Sequence, residues 1–200
     1  MAESRQGQTR CLAEKIVMKC LTENEISQWL DQHGIVGDPY AKSHAAFYLQ
    51  FDAPKTHQAI DGFIRRCFDS VFCSTDTLLH ITDWGLYTPS EMIPIMGIRS
   101  LHSEGRLLIE APGHLLDSAE AETAISLIAL TASFAWSSYL YCPTNRSTLY
   151  NWEGDIFDFW TDDPSQIAIL KGILQDFDLQ ETAKTAPVKE DNSQAASPGS

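Results

Sequence analysis

The sequence predicts an α+β fold: a single domain with a mixed or largely antiparallel sheet of five to six strands and helices packed on it. Three observations lead there. Strand-length apolar segments and amphipathic helical segments alternate through the first half. The last three strand-like segments then follow one another with no helix between them. A long uncharged stretch in the middle has the length of a central helix, placed at 118–136.

The elements follow in order. Residues 1–21 read as an N-terminal arm. Thr22 and Glu25 form a capping box for a helix to Gln32, with Ile26, Trp29 and Leu30 as its apolar stripe and Gly34 as its stop. Gly37-Asp38-Pro39 is a turn. Ala45, Phe47, Leu49 and Phe51 alternate as a strand. Thr56 caps a second helix with Ile60, Phe63, Ile64, Cys67 and Phe68 inward.

Thr77–Thr82 reads as a strand running into the loop Asp83-Trp84-Gly85. A short helix is expected over 90–103, with Pro94 in its first turn. Arg106–Glu110 is an apolar run of strand length, and Ala111–His114 a loop. Asp117 or Ser118 caps the central helix, with Glu120 and Glu122 near the positive end of its dipole. Helix gives way to strand near Ser137, and strands are expected at Tyr139–Cys142, Thr148–Trp152 and Asp155–Trp160, the last two as a hairpin around Glu153-Gly154. Asp163-Pro164 opens a final helix carrying Ile167, Leu170, Ile173, Leu174 and Phe177. The domain is placed at 22–179. Residues 180–200 are rich in Ala, Pro, Ser, Lys and Glu without periodicity and read as a disordered tail.

Composition narrows the function classes. Fourteen Lys and Arg against 27 Asp and Glu leave a net charge of −13 and a pI near 4.7. Such a chain repels phosphates, so nucleic acid is not an expected partner. The stretch Thr123–Asn145 is uncharged, but it carries six Ser and Thr before Pro143 and changes to strand near Ser137, so no membrane span is expected. Five cysteines in irregular spacing with no CxxC point to reduced, buried thiols and a cytoplasmic setting; Cys73 and Cys142 lie near strand ends.

No phosphate-binding, zinc-protease, nucleophile-elbow or calcium-loop motif occurs. Two histidine–carboxylate pairs remain as candidate acid–base sites: His80 with Asp83, and Glu110 with His114. Their plainer readings are a core histidine at 80 and a backbone-bonded turn histidine at 114. Asp155, Asp158, Asp162 and Asp163 lack a wrapping loop and diverge along a strand, so no metal and no cofactor is expected.

The charge is uneven. Residues 107–183 hold twelve acids and only Arg146 and Lys171 as bases, a net −10. Acid and aromatic residues interleave over 151–164, and strand parity puts Asp158 between Ile156 and Trp160, where an unpaired carboxylate is costly. The plainer reading is a solvated sheet edge. The sharper one is a docking surface for a basic protein, using Glu153, Asp155, Asp158, Trp160, Asp162 and Asp163, as in an immunity or inhibitor protein. The alternative is a small hydrolase-like enzyme using one of the histidine pairs at a sheet-end cleft. A third reading is a scaffold subunit, and the chain is expected as a monomer or homodimer.

Overall fold

The computed structural model describes residues 18–40, 45–72, 76–84 and 88–183. Cys11, Cys73, Gly85, most of the arm and the tail beyond Ala183 lie outside the described residues. The chain runs β1 (Lys19–Leu21), α1 (Glu23–His33), β2 (Phe47–Asp52), α2 (His57–Ser70), β3 (Thr77–Asp83), α3 (Pro89–Leu101), β4 (Gly113–Leu116), a 3-10 turn (Ser118–Glu120), α4 (Ala121–Ser133), β5 (Ser137–Cys142), β6 (Ser147–Trp152), β7 (Ile156–Thr161), α5 (Pro164–Asp176) and β8 (Glu181–Ala183).

The fold is α+β, and its strands form one antiparallel sheet in the order β1-β4-β3-β5-β6-β7-β2-β8. Among the described residues eight strands replace the five to six expected. The additions come partly from the ends: Lys19–Leu21, assigned to the arm, pairs with β4, and Glu181–Ala183, assigned to the tail, pairs with β2. Three-residue strands are too short to carry a readable alternation.

The helix starts follow their caps. Thr22 accepts from Glu25 N at 3.3 Å while Glu25 Oε2 accepts from Thr22 N at 2.9 Å. Thr56 accepts from Ala59 N, and Asp163 from Ser165 N. Pro94 falls in the second turn of α3, one turn later than expected. The central helix is shorter than 118–136. It begins as a 3-10 turn capped by Asp117, and it ends at Ser133 because Ala135 turns left-handed (φ 57°). Trp136 N and Ala135 N reach back to the carbonyls of Thr131 and Ala132, a Schellman closure built without glycine.

Segment 106–110 is not a strand. The fully buried guanidinium of Arg99 takes the carbonyls of Arg106, Leu107 and Ala111, so this backbone wraps around a side chain, and Leu107 and Ile109 stay exposed. The strand lies instead at Gly113–Leu116, in the expected loop. Gly113 suits it because a Cβ there would meet Ile26 Cγ1 at 2.7 Å, so the bare backbone lets α1 lie close.

The two faces of the sheet differ. Leu49, Phe51, Leu79, Ile81, Leu140, Leu149, Phe157 and Phe159 pack with α2, α3, α4 and α5 in the main core. On the opposite face α1 covers only part, burying Leu21, Ile26, Trp29 and Leu30 against Leu78 and Tyr141. Among the described residues no helix covers the area from β5 to β2 beyond α1, and this area carries the features of functional interest.

Candidate functional site

Register defines the free face. Gln50 and Tyr150 stand on either side of Asp158, Tyr48 and Thr148 on either side of Trp160, and Asp52 and Trp152 on either side of Ile156. Tyr139 continues the row beside Tyr150, and their rings stack with centroids 4.1 Å apart. Tyr40, from the segment after α1, lies edge-on over Tyr150, Trp152 and Trp160.

Asp158 is the hub of this face. It is fully buried, yet its carboxylate is saturated. Oδ2 accepts the hydroxyl of Tyr40, and Oδ1 accepts Tyr48 at 2.5 Å and Gln50 Nε2 at 2.9 Å. Three donors replace the water lost on burial. Burial, reinforced by the bonds to Asp158, raises the pKa of both phenols, so each stays protonated as a donor. The network reaches the surface through Trp152, whose indole N–H donates to Tyr40 Oη at 2.8 Å, and through Gln50, whose Oε1 accepts from Thr182 at 2.9 Å.

The hairpin tip stands at the edge of this face. Glu153 and Gly154 both have positive φ (46° and 73°), and Asp155 N closes the turn on Trp152 O at 2.8 Å. The register aligns Asp83 of β3, the tip residues Glu153 and Asp155, Asp52 of β2 and Glu181 of β8 along one end of the sheet. Lys171 pairs with Glu181 at 3.0 Å, and Lys55 shares a cleft with Glu153 and Asp155. Trp152 stands among these acids and is 47% exposed.

The six residues expected to form a docking surface therefore divide. Glu153 and Asp155 are exposed at the acidic end. Asp162 and Asp163 lie at the other end of β7, roughly 20 Å away at strand rise. Asp162 is engaged by Arg146 at 3.3 Å and by Ala46 N. Asp163 caps α5, and the hydroxyl and N–H of Ser165 lower its pKa. Asp158 and Trp160 are buried, which corrects their place in a contact surface: parity turns them to the free face, where Tyr40 and Tyr48 cover them.

The histidine pairs do not assemble. His80 faces α1 and bonds Glu23 Oε1 at 3.1 Å, and burial lowers its pKa against the pull of Glu23. Asp83 follows a register shift and is exposed. His114 points to the helix side, wholly buried, with Nε2 taking a bond from Arg99 Nη1 at 2.9 Å. Burial, with the Arg99 charge beside it, pushes its pKa down to about 3, so it is a neutral acceptor. Glu110 is spent on Leu107 N at 2.7 Å.

Cys20, Cys67 and Cys142 are buried. Burial pushes the Cys20 thiol up to about 11 and raises that of Cys67, so neither is a nucleophile at neutral pH. Among the described residues no three His, Cys, Asp or Glu side chains are placed to hold a metal ion, and no helix is long and apolar enough to cross a membrane.

Sequence reasoning missed Tyr40, Tyr48 and Gln50 as site residues. A signal existed for two of them: Tyr48 and Gln50 alternate with Leu49 and Phe51, so a polar row had to face away from the core. Comparison with protein-family models, with curated proteins and with solved structures finds no match to this chain.

Proposed function

We propose that this chain is a cytosolic protein-binding module, of an immunity or inhibitor type, that docks a basic protein partner at the acidic end of its sheet. One observation carries the reading: an exposed tryptophan, Trp152, set among the exposed carboxylates of Asp83, Glu153 and Asp155 at one end of the sheet. Aromatic anchors supply buried area in interfaces, and surrounding charge sets association rate and partner choice. Asp158 contributes from beneath by holding Tyr40, and through it Trp152, in place. The hydrolase alternative has no comparable support, since His114 is sealed against Arg99 and His80 is engaged by Glu23.

The test is capture from native lysate at low and moderate salt with two charge variants. The first is Asp83→Asn/Glu153→Gln/Asp155→Asn, at the acidic end. The second is Asp162→Asn/Asp163→Asn, at the far end. A basic protein is expected to be retained by the wild type and by the far-end variant, lost by the acidic-end variant, and released as salt rises. Equal retention by all three, or no salt dependence, overturns the reading.

A further inference from the structure

On the free face, beside the hairpin tip, an open pocket of about 370 Å³ is lined by Gln50, Trp152, Glu153, Asp155 and Ile156. Its volume is within the range of ligand sites. One wall is an indole, the apolar contribution is Ile156, and the rim carries two carboxylates. Among the described residues neither Glu153 nor Asp155 has an ion-pair partner. The walls are held before anything binds. The Trp152 indole is fixed through Tyr40, and the Gln50 amide directly, by the same buried carboxylate of Asp158. The far side of Gln50 is fixed by Thr182 of β8.

We propose that this pocket seats the guanidinium of an arginine side chain from the basic partner, a specification that rests on the proposed function above. An anion is repelled by Glu153 and Asp155, and a neutral apolar group leaves both carboxylates unanswered. A cation answers both the acids and the electron-rich indole face. Arginine fits better than lysine. Its planar, weakly hydrated group stacks on an indole and directs a fork of donors at nearby carboxylates, whereas an ammonium is a strongly hydrated point charge. A pre-held ring adds to affinity because little side-chain freedom is lost on binding. Trp152, Glu153 and Asp155 are contact residues; Tyr40 and Asp158 are positioning residues.

The test uses the full chain and two synthetic peptides of equal length and charge, one alternating Gly and Arg, the other Gly and Lys. Titration calorimetry gives the affinities, and the Trp152 indole N–H resonance reports the site. The wild type is expected to bind the Arg peptide about five-fold more tightly than the Lys peptide, in line with a cation–aromatic contact. Trp152→Leu is expected to erase that preference, weakening the Arg peptide more than the Lys peptide. Trp152→Phe, which keeps the apolar contact, is expected to fall between them and serves if the Leu variant fails to fold. Glu153→Gln/Asp155→Asn is expected to weaken both peptides. If both peptides bind equally and neither Trp152 variant changes this, the arginine seat is overturned while acidic docking stands. If neither peptide binds, the seat is overturned too, and the lysate capture then judges the broader reading by itself.

Discussion

Gly154 lies so close to Ala132 that a Cβ built on it would stand 2.0 Å from the Ala132 carbonyl oxygen. The hairpin tip thus rests on the last turn of α4, and its φ of 73° independently favours glycine. The obstacle is backbone, which cannot rotate away. Gly154→Ala is expected to destabilise the protein by about 3 kcal/mol, roughly 6–12 °C in Tm, and to displace Glu153 and Asp155. A melt within 2 °C of wild type, to an order of magnitude about 1 kcal/mol or less, defeats this account.

Asp158 and its donors form a buried unit whose parts are unequal. Tyr40→Phe removes one charge-assisted bond and is expected to cost about 2 kcal/mol. Asp158→Asn disturbs all three bonds and is expected to cost about 3–4 kcal/mol. Urea unfolding gives both values, and a double-mutant cycle gives their coupling. Tyr40→Phe also frees the Trp152 indole, so a shifted Trp152 N–H resonance is expected in the folded variant. An unshifted resonance contradicts the positioning role.

The contact between Gly113 and Ile26 makes a second cycle. Gly113→Ala pushes a methyl toward Ile26 Cγ1, 2.7 Å away, and toward Leu21 Cβ at 3.0 Å. A cost of about 1–3 kcal/mol is expected from overpacking. Ile26→Ala, which removes both Cγ1 and Cδ1, makes room and is expected to recover part of it. Additive effects in the double variant mean that α1 is not held off the sheet by this contact.

Acid weakens the fold through His114. Its pKa is about 3 when folded and 6.5 when exposed, so between those values the unfolded chain binds one more proton. The stabilisation is complete above pH 6.5 and is lost as pH falls toward 3. This one group contributes a slope of about 1.4 kcal/mol per pH unit. His114→Gln, which keeps an acceptor for Arg99, is expected to flatten the limb between pH 6.5 and 5, where few carboxylates titrate. An unchanged slope in chemical denaturation across that interval refutes the assignment.

Ala135 gives a prediction of opposite sign. It is left-handed (φ 57°) at the position after α4 where glycine is favoured. Ala135→Gly is expected to stabilise the protein by about 0.5–1 kcal/mol, because removing the Cβ strain outweighs the added freedom of the unfolded chain. Calorimetry that shows a lower Tm disproves it.

Local signals were readable wherever local chemistry decided the structure. Thr22, Thr56 and Asp163 start helices because their side chains satisfy free N–H groups within three residues. Glu153-Gly154 marks the hairpin because that turn needs two positive φ values. What escaped was decided at long range. Leu107 and Ile109 read as a strand, but the carbonyl of Leu107 is claimed by Arg99, a side chain that sequence periodicity does not register. Gly113 and His114 read as a turn, yet β1 and β3 take them as strand partners. At the site, parity placed Asp158 and Trp160 on one side of β7, but nothing local linked them to Tyr40, which turns an apparent contact surface into a buried hub.

The strand order has a consequence for synthesis. Phe47–Asp52 pairs with β7, made roughly 110 residues later, and with β8, made roughly 130 residues later, and Lys19–Leu21 waits for Gly113–Leu116. At ordinary translation speeds an apolar strand, with Leu49 and Phe51 on its inner side, is therefore exposed for several seconds on the growing chain. The sheet closes only after the hairpin and α5 have emerged. Folding of the sheet then waits for its last strands and, with pairings this distant, is slow among domains of similar size. Truncations before Glu181 leave β2 as an uncovered edge.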